Sequence, residues 1–156
     1  MDIYTLVKVA HVIGATVLLG TGAGIAFFML MAHRTRDPAL IAHTAGIVVL
    51  ADTVFTATAV IAQPTTGAAL AHMAGYPILS GWIGLSLALY VVTGLCWLPV
   101  VWIQLKLRDL ATAATRDGAA LPARYFKLFR VWFVLGFPAF AAVTGILWLM
   151  IAKPSF

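Results

Sequence analysis

Charged residues are scarce in this chain of 156 residues. Lys, Arg, Asp and Glu together make up 10% of the sequence, whereas soluble domains contain about 25%. Hydrophobic residues reach 63%, and a soluble domain of this size could not bury so much apolar surface, because its surface is large relative to its volume. The composition therefore excludes a soluble protein and predicts a single membrane domain over residues 1–156.

Cysteine is nearly absent, and the short motifs of several enzyme classes are missing. The one cysteine, Cys96, has no partner for an internal disulfide and lies in an apolar run. The sequence has no zinc-type Cys/His spacing, no glycine-rich phosphate loop, and neither an HExxH nor a GxSxG motif. A net charge of +5 would suggest nucleic acid in a soluble protein, but here the basic residues flank apolar runs, which is typical of membrane topology. We therefore expect membrane lipid to surround the chain, and we expect no nucleic acid as a partner.

Four apolar stretches are each long enough to cross a membrane, which requires about 20 residues. They cover residues 4–31, 40–62 (with a possible extension to 73), 82–105 and 125–151. The first is interpreted as a retained span and not as a signal peptide, because the acidic Asp2 stands where a basic cluster would be expected. The sequence thus predicts an all-α fold, a four-helix transmembrane bundle.

The basic residues predict how this bundle is oriented. Eight of the ten lie in or beside the first and third connections, whereas the second connection, residues 63–81, has none. These eight are Arg34, Arg36, Lys106, Arg108, Arg116, Arg124, Lys127 and Arg130. Because Lys and Arg concentrate in cytoplasmic loops, the N- and C-termini are predicted on the outer (periplasmic) side of a bacterial inner (cytoplasmic) membrane.

His11 is an ionisable residue inside the first span, and such residues mark functional sites by default. Tyr4, Lys8 and His11 share one helix face, and mostly small residues follow on that face, beginning with Gly14. The pattern suits a haem: His11 would bind the iron, Gly14 would admit the macrocycle, and Lys8 would meet a propionate. In the alternative, His11 hydrogen-bonds a neighbouring helix and Lys8 extends to the lipid headgroups.

Asp52 is predicted at a depth similar to that of His11. Counted from Leu40 at about 1.5 Å per residue, it lies roughly 18 Å from the inner edge of the bilayer. It could accept a hydrogen bond from the His11 ring, as carboxylates do for metal-bound histidines, or act as a proton relay. Thr56 and Gln63 extend a polar stripe from it toward the outer surface. A protonated Asp52 bonded to a backbone carbonyl that a proline has freed is the structural alternative.

The other histidines suggest further haem ligands. His72 lies toward the outer side and is the candidate second axial ligand beside His11. A kink at Pro64 would be needed, because a straight helix carries His72 well beyond the hydrocarbon. His33 and His43 lie toward the inner side and could form a second pair, although His33 is expected to be a solvated loop residue.

Several stretches resemble the HemJ-type membrane protoporphyrinogen oxidases. They are Lys8-Val9-Ala10-His11 in the first span, Gln63-Pro64-Thr65-Thr66-Gly67 with Trp82 after it, and the proline-bearing fourth span followed by Lys153-Pro154-Ser155-Phe156. The chain looks closer still to an uncharacterised bacterial family of predicted four-span integral membrane proteins. The HemJ pattern has a Lys and a His in the third span where Ser86-Leu87 and Cys96-Trp97-Leu98 stand here, and an Asn-Glu in the fourth where Arg130-Val131-Trp132 stands.

The resemblance implies a four-helix bundle that binds haem b (protohaem IX), with His11 at the position of the haem-binding histidine. We therefore predict a haem b-binding inner-membrane protein that acts in electron transfer or redox chemistry, with a redox protein or a quinone as partner and a homodimer as its assembly. Two alternatives stay open at this point. One is a HemJ-like protoporphyrinogen oxidase, a haem-dependent membrane oxidoreductase. The other is a cofactor-free membrane subunit or assembly factor, in which His11 only ties helices together.

Overall fold

The computed structural model describes residues 2–79 and 81–155, and every regular element in these ranges is a helix. The helices are α1 (Ile3–Thr35), α2 (Pro38–Met73), α3 (Gly81–Arg116) and α4 (Ala123–Ala152). All four are long and apolar enough to cross a membrane. The predicted all-α bundle of four transmembrane helices is therefore confirmed. Phe156, the last residue of the C-terminal motif, lies outside the described residues.

Aspartates define the starts of the first two helices. Asp2 precedes α1 and accepts a hydrogen bond from the backbone N–H of Thr5 at 2.8 Å. Hydrogen bonding from the side chain and then the backbone of Thr5 lowers the pKa of Asp2 below its ordinary value. Asp37 caps α2 in the same manner, accepting from the N–H of Ala39 at 2.8 Å. Pro38 follows at the first helical position, where its missing N–H leaves no hydrogen bond unmade. The cap at Asp37 and the proline at position 38 start α2 at once, so only two residues, 36–37, connect α1 to α2.

Two helices continue beyond the apolar runs that mark their spans. α3 extends to Arg116, past the apolar stretch that ends at residue 105, because Leu107, Ala111 and Ala114 keep one face buried while the opposite face is polar. α2 passes through Pro64 and ends at Met73. Apolar composition therefore marks the part of each helix that suits hydrocarbon, and the ends of the helix depend on caps and buried faces.

The bundle has two different ends. We call the end with the connections 36–37 and 117–122 the basic end, and the end with both chain termini the terminal end. The hydrophobic core lies toward the basic end, and its fully buried members include Met29, Ile41, Leu107 and Tyr125. Toward the terminal end the buried residues are mostly small or polar: His11, Gly14, Ala59, Gln63, Ala71, Ser86 and Ala142, with Leu149 as the large exception. Polar contacts between helices are thus concentrated in the terminal half.

The middle of α2 departs from regular α-helical winding. Residues Asp52–Thr56 form one turn of π-helix, and both end residues of that turn are buried. Further along, Pro64 leaves the carbonyl of Val60 without its usual intrahelical partner. The hydroxyl of Tyr90 on α3 donates a hydrogen bond to this carbonyl. The side chain of another helix therefore satisfies a backbone group that the proline has freed.

Candidate functional site

His11 lies between α1 and α2 in the terminal half of the bundle. Its side chain is only 8% exposed, and its Nδ1 lies 2.8 Å from the Thr66 Oγ1 on α2. The imidazole also lies against Gly67, because a Cβ at position 67 would be 3.2 Å from Cε1 of His11. The absence of a side chain at Gly67 therefore allows the ring to approach the backbone of α2.

The Thr66 hydroxyl determines which nitrogen of His11 holds the proton. Its Oγ1 lies 2.6 Å from the carbonyl oxygen of Ala62, and a threonine within a helix donates its single proton to such a carbonyl. The same oxygen must then accept a hydrogen bond from Nδ1–H of His11. In the neutral ring, Nε2 keeps its lone pair, and no described residue hydrogen-bonds to that atom. Nε2 is therefore the atom through which His11 can bind a metal.

Gln63 fixes the backbone of α1 at the same point. Its Nε2 donates a hydrogen bond to the carbonyl oxygen of His11 at 2.8 Å, and the Gln63 side chain is buried. A Cβ at position 14 would overlap this amide nitrogen. The space at Gly14, which the sequence pattern assigned to a macrocycle, is therefore filled by the side chain of Gln63, because the two helices pack closely here.

Lys8 and Tyr4 lie one and two turns from His11, nearer the terminal end. The Nζ of Lys8 is 5.9 Å from the centroid of the Tyr4 ring, and the Lys8 side chain is exposed. His11 is directed toward α2, whereas Lys8 faces the surroundings of the bundle. The positive charge is thus near the end of the span, where an anionic group at the membrane surface can reach it.

Asp52 lies far from His11, and the expected hydrogen bond between them is not formed. The short connection at the basic end makes α1 and α2 antiparallel, and His11 contacts Gln63 and Thr66. Asp52 precedes Gln63 by eleven residues, which corresponds to about 16 Å along α2. The depth estimate failed because α2 begins at Pro38 and continues without a break to Met73, so the part opposite His11 is further along the helix.

His72 lies in the last turn of α2, and its side chain is exposed. It follows Thr66 by six residues, which turns the helix by about 240°. Since α2 passes Pro64 as a continuous helix, His72 does not share the face of α2 that contacts His11. In this conformation the structure does not bring the two histidines together as a pair of axial ligands.

His33 is not a solvated loop residue, and that expectation is wrong. α1 extends to Thr35, so His33 lies within the helix. Its ring stacks on Phe129 of α4 with 3.6 Å between centroids, and its Nδ1 lies 3.3 Å from the hydroxyl of Tyr125. His43, its expected partner in a second pair, has an exposed side chain. His33 thus contributes to aromatic packing at the basic end.

A second polar group lies closer to the middle of the bundle and was not recognised as a group from the sequence. The Asp52 carboxyl is within reach of the side chains of Thr56, Trp97 and Gln104. The polar amide of Gln104 inside the apolar third span is the signal that could have found it. Within residues 2–79 and 81–155, no three His, Cys, Asp or Glu residues lie together as a metal site made of protein ligands alone.

The comparisons with known proteins place the chain in a family. Residues 5–154 match the family model described as "Predicted integral membrane protein (DUF2269)". No curated protein and no solved structure matches the chain. The matched range includes all four membrane-spanning helices almost completely, together with His11, Gln63, Thr66 and Asp52. The chain therefore belongs to the DUF2269 family of predicted integral membrane proteins.

Proposed function

We propose that this protein binds haem b through Nε2 of His11 and acts in electron transfer or redox chemistry in the inner membrane of a bacterium. The observation that carries the proposal is the hydrogen bond between Nδ1 of His11 and Thr66. It holds the imidazole in the orientation and tautomer of a histidine that binds iron. The porphyrin brings four nitrogen ligands of its own, so one protein ligand is enough to hold the group.

The residues present fit a haem with one histidine ligand better than a haem with two. His11 is buried and oriented by Thr66, whereas His72 is exposed and on another face of α2. Gln63 holds the backbone of His11 in place, and Gly67 leaves space for its ring, but neither contributes a ligand. The proposal is therefore a haem protein in which His11 would hold the iron, and any second protein ligand would come from a residue other than His72.

Three side chains near His11 would each have a defined role at such a haem site. Thr66 orients His11 through Nδ1, and Gln63 ties α1 to α2 beside it. Lys8 offers a positive charge for a carboxylate such as a haem propionate near the terminal end. Bound haem supplies a one-electron redox centre. A quinone dissolved in the lipid, or a membrane-bound redox protein, is the class of partner that could exchange electrons with it.

The first experiment is a visible spectrum of the detergent-purified protein, oxidised and reduced with dithionite, from cells supplied with haem. A pyridine extract gives the amount of haem per chain. We expect haem b bands in the wild type and their loss in His11→Ala. His43→Ala is the matched control, because His43 is exposed and should leave the spectrum unchanged.

Two results would overturn the proposal. One is a colourless wild-type protein that is folded and helical by circular dichroism, which would instead favour a cofactor-free membrane subunit. The other is a haem content that His11→Ala leaves intact. If haem is bound, His72→Ala should leave its spectrum unchanged, because the structure keeps His72 away from the His11 face.

A further inference from the structure

Four polar side chains form a buried cluster between α2 and α3. Asp52 and Thr56 come from α2, Trp97 and Gln104 come from α3, and the last three all lie within reach of the Asp52 carboxyl. Asp52 is 5% exposed, Thr56 6% and Gln104 1%. Cys96 and Leu98 flank Trp97 in the same apolar run, so the cluster is set in the hydrophobic part of the helices. We call these four residues the Asp52 cluster.

The cluster contains polar atoms that no described residue satisfies. They are Oδ2 of Asp52, Oγ1 of Thr56, Nε1 of Trp97, and both Nε2 and Oε1 of Gln104. Polar groups buried inside a membrane protein are normally hydrogen-bonded, because each unpaired group costs several kcal/mol in hydrocarbon. Four such atoms on three neighbouring side chains, together with Oδ2 of Asp52, indicate that the cluster is suited to hold a small polar species.

The backbone at this point is also unusual. Asp52 and Thr56 are the first and last residues of the π-helical turn in α2. Such turns are rare and occur frequently at functional sites, because they shift side chains and free backbone groups relative to an α-helix. Asp52 and Thr56 therefore combine an unusual backbone conformation with unpaired polar side-chain atoms.

The charges around the cluster determine which species it suits. The titratable groups on the packed helices include His11 and His33 on α1, His43 on α2, and Tyr90, Cys96 and Lys106 on α3. The side chains that act on the Asp52 carboxyl are those of Thr56, Trp97 and Gln104, and none of them is charged. A carboxylate without a cationic partner is costly at this depth, so a neutral acid is favoured. The Trp97 N–H and the Gln104 amide N–H groups donate hydrogen bonds, which opposes a metal cation and suits water or a carboxyl oxygen.

We propose that the Asp52 cluster is a proton-binding site, in which Asp52 takes up and releases one proton and water is held by Thr56, Trp97 and Gln104. In the release step the O–H bond of the Asp52 carboxyl breaks and its proton bonds to a water oxygen, forming a hydrated proton. The carboxylate left behind accepts hydrogen bonds from Trp97 and Gln104. The site lies about 16 Å along α2 from Gln63, so this inference stands independently of haem binding at His11.

The test is infrared spectroscopy of the purified full-length protein across a pH series, in H₂O and in D₂O. The chain favours this measurement, because all five acidic residues are aspartates and Asp2, Asp37, Asp109 and Asp117 are exposed. Carboxylic acids in contact with water are ionised near neutral pH. We expect a carbonyl stretching band of a protonated carboxylic acid that shifts on deuteration, is lost in Asp52→Asn and is kept in the matched control Asp109→Asn.

The neighbours of Asp52 provide a second measurement that does not depend on removing the acid. Gln104→Leu and Trp97→Phe should shift the frequency of the band, because each removes a buried polar group beside the same carboxyl. Three outcomes would overturn the proposal: no protonated-acid band at neutral pH, a band that persists in Asp52→Asn, or a band that sodium or potassium ions remove at constant pH. The last outcome would identify a cation site.

Discussion

The amide nitrogen of Gln63 on α2 occupies the position where a side chain at residue 14 of α1 would begin. Helices in a membrane gain little from burying apolar surface against each other, so small residues and interhelical hydrogen bonds determine where they approach. Gly14 supplies the small residue, and the Gln63–His11 hydrogen bond supplies the polar contact. The pair thereby fixes the register of α1 against α2 beside His11.

Gly14→Ala should destabilise the protein, because its methyl group overlaps the Gln63 amide and breaks the bond to the His11 carbonyl. The loss should be about 1–3 kcal/mol in the free energy of unfolding, the range for a buried polar group left without its partner. The measurement is reversible unfolding in mixed micelles, followed by circular dichroism.

Gly20→Ala is the matched control for this prediction, because a Cβ at position 20 meets nothing within 4 Å. It should be neutral or stabilising by up to about 1 kcal/mol, since alanine favours a helix more than glycine does. Equal losses in both variants would contradict the assigned role of Gly14. In a Gln63→Ala background the cost of Gly14→Ala should fall, because the clash is removed.

Tyr90→Phe should destabilise the contact between α2 and α3. The Tyr90 hydroxyl satisfies the Val60 carbonyl that Pro64 leaves free, and phenylalanine would leave this carbonyl unpaired in an apolar setting. We expect a loss of about 1–2 kcal/mol in the free energy of unfolding. Tyr76→Phe, at an exposed position, is the control and should have no effect.

A double-mutant cycle with Pro64→Ala isolates this interaction. Alanine at position 64 restores the N–H that bonds to the Val60 carbonyl within α2, so Tyr90→Phe should cost less in that background than in the wild type. An identical cost in both backgrounds would show that Tyr90 acts through packing and not through the carbonyl freed by the proline.

Thr66→Val should weaken haem binding without removing His11. Valine keeps the shape of threonine but cannot accept from Nδ1–H, so the orientation and tautomer of the ring are no longer fixed. Loss of such a supporting group typically lowers metal affinity by about 10–100-fold. Thr66→Ser keeps the hydroxyl and should restore binding, as measured by titrating haem into the apoprotein. Wild-type affinity in Thr66→Val would contradict the role assigned to Thr66.

The fold follows from the sequence because apolar runs of membrane-spanning length leave the backbone little choice but a helix. The partners of His11 do not follow in the same way. Thr66 and Gly67 contact it only because α1 and α2 pack in one particular register, and that register depends on Gly14 and Gln63. Composition and periodicity contain no information on the register between two apolar helices.

Depth estimates failed for a related reason. The apolar edge of the second span does not give the depth of Asp52, because packing and the short connection at the basic end align α1 with α2. The polar character of Asp52, Thr56 and Gln104 was visible in the sequence. Their proximity depends on how α2 and α3 pack together, which a single sequence does not specify.

The orientation of the bundle is a prediction that site-directed labelling can test. Eight of the ten basic residues lie at or near the basic end, so this end should face the cytoplasm and both termini should face the periplasm.

Single cysteines are placed in a Cys96→Ala background at Ala119, in the α3–α4 connection, and at Ser155, near the C-terminus. Both positions are exposed. A membrane-impermeant maleimide applied to spheroplasts should label Ser155→Cys at once and Ala119→Cys only after lysis. The reverse pattern would place the basic residues outside, and would put Lys8 and the terminal half around His11 on the cytoplasmic side.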